Sequence, residues 1–329
     1  MLPSAAPRRV ASMMMASLCL LCQLMAQEKP AHDQQPGGAV HVQMHDVMYH
    51  YTDNVAVYIR QLAGELVPQK GAMPVFDDKN SFTLHVTAAE MAIASDAMAN
   101  VLNQYVFSSK DAPIKDVSLS IEKGRLKIKG KLHKKGDISF ETESSLSATP
   151  DGKIRLHSEK VRALHLPVKG LMDLFGIEIA DLIKTGKVRG VKAEKDDLIL
   201  DPEQALPPPH ISGRITQVRL EGNNIVEIFG SPATYKWAEV SARNYMAYQG
   251  NRLKFGKLTM EDTDMVLIDP DPRDPFDFYL DHYKDQLVAG YTKTTPVFGL
   301  RVFMVDYSKL RRPALRKKPV AKSKRTGVM

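Results

Sequence analysis

Cysteine is nearly absent: the 329 residues hold two, Cys19 and Cys22, both within the first 26 positions. From Gln27 onward the chain can form neither a disulfide nor a thiolate metal site, so burial has to hold the fold together. Local catalytic signatures are missing as well. There is no Gly-x-Ser-x-Gly, no His-Glu-x-x-His, no P-loop and no dinucleotide-type glycine turn, so no enzyme activity and no cofactor is expected. A Ser/His/Asp triad leaves no local signature, and this absence speaks only to contiguous motifs. Beyond the N-terminal segment no stretch reaches the roughly 18 consecutive apolar residues of a membrane-spanning helix.

Acid is absent from Tyr307 to Met329, where nine Lys and Arg lie. Removing these nine, with Arg8 and Arg9, from the 45 basic residues leaves 34 against 38 acidic ones, so the body from Gln27 to Asp306 carries about −4. The formal +7 is therefore a property of the ends, and a nucleic-acid-binding body is not indicated. The composition, 43% hydrophobic and 25% charged, is that of a folded chain long enough for two medium domains.

What is present begins with Arg8 and Arg9, the apolar run "VASMMMASLCLLCQLMA" and the polar "QEKPAHDQQPGG". This is the order of a secretory signal, read as 1–26, with 27–38 as a polar leader. An uncleaved anchor is the alternative, because Leu24 suits a cleavage site poorly.

"AVHVQM" and "VAVYI" flank Thr52-Asp53-Asn54 and suggest a hairpin, followed by the strand "SFTLHV". Thr87 and Glu90 have capping-box spacing. A helix is expected from there to about Phe107, with Met91, Ala94, Met98, Val101, Leu102, Tyr105 and Val106 on its apolar side. The next fifty residues read as a meander. A two-residue turn at Lys123-Gly124 pairs Ile121 with Leu126, Leu119 with Ile128 and Val117 with Gly130. A three-residue loop at 134–136 pairs Leu132 with Ile138 and Gly130 with Phe140; "TPDG" pairs Leu146 with Ile154 and Ser144 with Leu156. These registers gather the apolar residues on one face. On the other they set Glu122 opposite Arg125, Lys129 opposite Glu141 and Lys127 opposite Glu143, at roughly 0.2–1 kcal/mol per pair. The seven basic residues from Lys123 to Lys135 are thus read as a largely answered, solvated strand face, with charge left over at Arg125, Lys131, Lys134 and Lys135.

A second helix is expected over "PVKGLMDLFGIEIADLIK", then a hairpin in "VRGVKAEKDDLILD" and a proline linker in "PEQALPPPHISG". Repeated hairpins follow in "TQVRLEGNNIVEIFG" and "YMAYQGNRLKFGKLTMEDTDMVLID". Asp262, Asp264, Asp269, Asp271, Asp274 and Asp277 crowd a proline-braced segment. It lacks the spacing and glycine of an EF-hand, so a solvated turn is the main reading; Asp269 and Asp271 are weak metal candidates, and glycoside cleavage by two such carboxylates is a remote one. His41, His45 and His50 read as surface residues rather than a zinc site.

The run "DVSLSIEKGRLKIKGKL", "ISFETESSLSATPDGKIRLHSEKVRA", "LPVKGLMDLFG" and a hairpin ending "LILD" resembles the LmeA-like bacterial lipid-binding proteins, relatives of the tubular lipid-binding (TULIP) superfamily, over about residues 114–200. The resemblance does not reach the C-terminal third. It implies an α+β fold, a curved antiparallel meander sheet wrapped on one or two amphipathic helices, here 39–204; the hairpin pattern and the charge of the residues themselves add a β-hairpin-rich region at 205–306 and a basic disordered tail at 307–329. It also implies an apolar groove, for which Met98, Leu102, Leu119, Ile121, Leu126, Ile128, Phe140, Leu171, Leu174 and Phe175 are the candidates. Thr142, Ser144 and Gly130 on the same face suit a lined cavity.

The expected protein is an exported, non-enzymatic, periplasmic or envelope-associated binder or carrier of a lipid or other hydrophobic ligand, with no nucleic-acid partner. Arg311, Arg312, Arg316, Lys317 and Lys318 would hold it to an anionic surface, at about 1 kcal/mol for each basic residue. The alternative is an envelope scaffold or assembly protein with a dry core; an envelope hydrolase using Asp262–Asp277 stands third.

Overall fold

The computed structural model describes residues 38–69, 73–110, 112, 114–133, 137–163, 190–194 and 197–310. The chain is mainly β with a few short helices, and its sheets curl toward a half-barrel. Three long strands begin it: β1 (Val40–Thr52), β2 (Val55–Pro68) and β3 (Phe82–Ala94). As the alternation predicts, β1 and β2 form a hairpin closed by Thr52 opposite Val55.

Burial along β1 alternates as Val40, Val42, Met44 and then shifts to Val47, Tyr49, Tyr51. The phase change falls at Asp46, whose φ of 56° inserts a left-handed residue, a conformation Asp tolerates better than most. Its carboxylate accepts a hydrogen bond from the Tyr58 hydroxyl at 2.8 Å.

At the same point β1 changes neighbours. Val40–His45 pair antiparallel with β13 (Tyr245–Gly250), and Val47–His50 pair parallel with β17 (Phe276–Tyr279). β3 is divided in the same way between β10 (His210–Gly213), parallel to Thr83–Val86, and β12 (Asn224–Phe229), antiparallel to Ala89–Ala94. With β11 (Ile215–Glu221), β16 (Thr263–Ile268), β18 (Tyr291–Thr294) and β19 (Leu300–Phe303), these make an 11-stranded sheet. It takes strands from both sides of the proline segment, so the partition expected at 204/205 follows the chain while the sheet crosses it.

The helix expected from Thr87 starts eight residues late. Residues 87–94 are strand, and the helix runs Ser95–Val101, continued by a π-helical turn at Leu102–Val106. The capping-box pair never caps: Glu90 instead accepts from Arg60 and Arg219, each at 2.6 Å, on the sheet's outer face. Residues 89–93 are flanked on both sides, by β2 and β12, and this ladder outweighs the helix preference of an Ala-rich stretch. The second expected helix lies outside the described residues.

The meander is present as β4 (Ile114–Glu122), β5 (Arg125–His133), β6 (Asp137–Ala148) and β7 (Ile154–Ala163), completed by β9 (Asp197–Leu200) and β8 (Val191–Glu194) in a six-stranded sheet. Ile121–Leu126, Leu119–Ile128, Leu132–Ile138 and Gly130–Phe140 pair as expected. Two registers differ. Val117 does not face Gly130, because Asp116 (φ 53°) and Val117 bulge so that the Asn103 side chain can hydrogen-bond both backbone groups of Val117, at 2.8 and 2.9 Å. Leu146 faces Leu156 and Ser144 faces Ser158, a two-residue slip. Thr149 closes the longer turn by hydrogen bonds with Lys153. A slip of two keeps each side chain on its face, so the apolar row survives.

Of the later hairpins, β11–β12 closes as read. β13, however, pairs with β16, and the residues between them form a separate small hairpin of β14 (Leu253–Phe255) and β15 (Leu258–Met260).

One hydrophobic core spans both sheets, from Val40, Leu62 and Phe278 of the large sheet to Leu126, Phe140 and Leu156 of the small one. Two glycines let β10 and β12 meet along β3. Gly213 passes close to the Val86 carbonyl. At Gly230 (φ 55°) a Cβ would sit 2.1 Å from the Thr87 oxygen. Gly230→Ala should therefore lower stability by roughly 1–3 kcal/mol, from backbone strain and the displaced strand. Urea unfolding checks this, and an unchanged midpoint would show that the strand junction is not tight.

Candidate functional site

The apolar row of the small sheet faces the helix Ser95–Val106 and the inner face of β2 and β3. The seam between them holds two voids of about 40 Å³ each, and a third of about 30 Å³ lies beside them on the inner side of the large sheet alone. The central one is walled by Met91 and Ile93 of β3, Met98 and Leu102 of the helix, Ile211 of β10 and Glu227 of β12, among others. It shares Leu102 and Leu200 with a second void lined by Ile128, Phe140 and Leu156, and Met91 and Ile211 with a third lined by Tyr49, Tyr51 and Leu62. Each void holds about one water or one to two methylene groups.

Of the groove candidates, Met98, Leu102, Ile128 and Phe140 line these voids. Leu126 is fully buried in the core, and Leu119 and Ile121 pack half-buried against it. Leu171, Leu174 and Phe175 lie outside the described residues. The polar residues on this face answer one another: the Thr142, Ser144 and Ser158 hydroxyls lie 3.2–3.4 Å apart. Gly130 leaves room for the Phe140 ring, 2.9 Å from where its Cβ would be.

Glu227 was missed in the sequence. It stands on the inward row of β12 between Ile225 and Phe229, opposite Met91 of β3 and Val218 of β11, and is 8% exposed. No described side chain or backbone group forms a hydrogen bond or ion pair with its carboxyl. Burial pushes that carboxyl up to about 7. Burial also pushes up the Tyr51 hydroxyl, and the nearby Glu227 charge adds to it. The signal was there in "NIVEIF", as a charge at the apolar phase of an alternating strand.

The other candidates resolve into ion pairs. On the basic ridge Lys127 reaches Glu122 and Glu141, Lys129 reaches Glu141, Arg125 reaches Glu159 and Lys131 reaches Asp116. Arg125 and Lys131 are thus not the leftover charges expected; their partners come from the next strand but one and from the β4 bulge. Lys134, Lys135, Arg311, Arg312, Arg316, Lys317 and Lys318 lie outside the described residues. The three histidines stay separate: His41 meets Glu65, His45 the Arg243 carbonyl, and His50 the Asp277 carboxylate at 2.6 Å.

The aspartate segment keeps a largely exposed turn at 270–274, as expected, but Asp269 ahead of it is drawn inside. Asp269 is 5% exposed and gathers with Asp274 and with Asp306 (1% exposed), a residue far along the chain from the segment itself. Burial pushes Asp269 up to about 6 and moves Asp306 in the same direction. The Lys309 ammonium sits among them, bonded to Asp306, 3.0 Å from Asp271 and 3.8 Å from Asp274. Asp271 also takes two bonds of 2.7 Å from Arg273, which with Lys309 hold it well below the usual carboxylate range. Asp269 and Asp271 therefore belong to a cluster whose cation is Lys309.

A polar cleft of about 1470 Å³ opens between the 69–83 segment and β7–β9. Two of its lysines are paired within it, Lys153 with Asp201 and Lys192 with Glu194. Among the described residues no helix is long and apolar enough to cross a membrane. No protein-family model, curated protein or solved structure matches the chain.

Glu227 sets a pH dependence. An acid raised from 4.5 to about 7 binds its proton more tightly folded than unfolded. Its contribution is therefore fully present below pH 4.5 and is lost as the pH rises to about 7, by about 3 kcal/mol. Asp269 acts with the same sign, so the difference between proteins is the informative quantity. In thermal melts from pH 4 to 8, Glu227→Gln should gain on the wild type across that window, and parallel curves would show that Glu227 is solvated.

Proposed function

We propose that the chain is a non-enzymatic, exported envelope protein that holds a lipid or other elongated apolar ligand in the seam between its two sheets. The observation that carries this reading is the string of three apolar voids with shared walls. Two of them lie on the face that the LmeA-like resemblance marks as a groove, formed here by an antiparallel meander, a short helix and the inner side of the large sheet, and the third extends the row inside the large sheet. The void sizes set the mechanism. A chain of many methylenes fits only if the sheets part, and the apolar surface uncovered between them is then covered again by ligand, at about 0.8 kcal/mol per buried methylene. Tyr307–Leu310, expected as part of the disordered tail, is a short helix whose Lys309 is engaged by the aspartate cluster; the basic residues of 311–329 would add attachment to an anionic surface.

The scaffold reading is favoured by one observation: voids of 30–40 Å³ are small enough for a closed core. The hydrolase reading loses its main support, because the carboxylates it needs are held by Lys309, Arg273, His50 and Arg301.

Native mass spectrometry of the protein purified from a bacterial envelope, followed by organic extraction, separates the two readings. Stoichiometric lipid released on denaturation is the expected result. A clean apo mass, with no uptake of added phospholipid, would overturn the proposal in favour of the scaffold. In vesicle flotation at low salt, deletion of residues 311–329, which leaves Lys309 in the aspartate cluster, should release the protein from anionic vesicles, and unchanged flotation would remove the tail from the account.

A further inference from the structure

The central void has twelve apolar or proline side chains around one carboxyl, that of Glu227. A carboxyl so placed is costly wherever nothing pairs with it. Its described neighbours supply nothing: Met91 and Val218 flank it in the sheet, Met98 faces it from the helix, and Tyr51 of β1, the titratable group on which its charge acts, is itself buried among apolar side chains. The hydroxyl cluster of Thr142, Ser144 and Ser158 is bonded within itself on the small sheet. Two features therefore coincide: unfilled apolar volume that continues in both directions through shared walls, and at its middle one strong hydrogen-bond acceptor unused by the protein.

We propose that Glu227 is the polar anchor of this seam, taking the hydrogen-bond-donating head of a single-chain amphiphile, a hydroxyl or an ammonium, while the chain lies along the neighbouring voids. This rests on the apolar-ligand reading above and adds to it the chemistry of the head. A donor head removes the cost of the buried carboxyl on binding, whereas an ester or other acceptor-only head leaves it and adds a second unsatisfied oxygen. The preference comes from this one residue, because the remaining walls cannot distinguish one head from another.

The test uses the full chain and three probes of equal chain length: a primary alcohol, a primary amine and a methyl ester. Binding is measured at pH 8, above the value near 7 to which burial pushes Glu227, so that its carboxylate is the form presented. Alcohol and amine should bind about tenfold or more tighter than the ester. Glu227→Leu should level the three. Glu227→Gln should weaken the amine more than the alcohol, because an amide keeps a hydrogen bond and loses the charge. Both substitutions remove a buried charge and are expected to fold; circular dichroism verifies this for each. Equal binding of the three probes by the wild type, or a preference that survives in Glu227→Leu, would overturn the role of Glu227 and leave the apolar-ligand reading standing. Failure of all three probes to bind the wild type would overturn both.

Discussion

The architecture depends on how the two long strands β1 and β3 satisfy their backbones. Each is 13 residues long, and on the outer side of the β1–β2–β3 unit no single neighbour serves either for its whole length. β13 and β17 divide β1 between them, and β10 and β12 divide β3. Because buried N–H and C=O groups must be paired, these four shorter strands are obligatory. All four come from the C-terminal half of the chain, so the halves cannot be separated without exposing ladder groups of both long strands. Asp46 on β1 and Gly213 and Gly230 beside β3 mark the points where one partner gives way to the next. Local chemistry at those points follows: a left-handed aspartate at one, residues without a Cβ at the other.

That division also explains what the sequence could and could not tell. Hairpins with short turns were legible, since a two-residue loop fixes the register of everything beyond it; Lys123-Gly124 is the clear case. The common apolar face of the meander was legible too, and it survived a two-residue error at residues 149–153 because strand parity has period two. The β3–helix boundary was not. Residues 87–94 carry small, helix-favouring side chains, and they are strand because β2 and β12 flank them, β12 lying well over a hundred residues downstream. Long-range pairing of this kind leaves no local mark. The bulge at Val117 was hidden for the same reason, being imposed by the amide of Asn103 on another element.

The site was legible by halves. Met98, Leu102, Ile128 and Phe140 could be placed on apolar faces, and those faces meet. Met91, Ile211 and Glu227 could not be added, because each reaches the seam through the large sheet. Charge behaved differently. Register gave one ion pair of the basic ridge, Lys129 with Glu141, while Arg125, Lys127 and Lys131 reach other acids; the aspartate cluster could not be paired at all, since Asp306 and Lys309 arrive from the far end of the described chain.

The two sets of buried acids show opposite solutions to one physical problem. Asp269 and Asp306 are buried together, and the chain brings Lys309, Asn244 and the backbone N–H groups of Asp271 and Asp277 to them, so the burial is answered in the free protein. Glu227 is equally buried and receives nothing comparable. A structural role does not explain the difference, since an apolar residue at 227 would complete the row of Ile225 and Phe229 and fill part of the void. Desolvation works against keeping a carboxyl there, and that cost is offset only in a state in which the carboxyl has a partner. In the aspartate cluster that partner is internal, the Lys309 ammonium. At Glu227 the described residues supply the acceptor and the apolar surround, and in the proposal above the ligand's head supplies the donor.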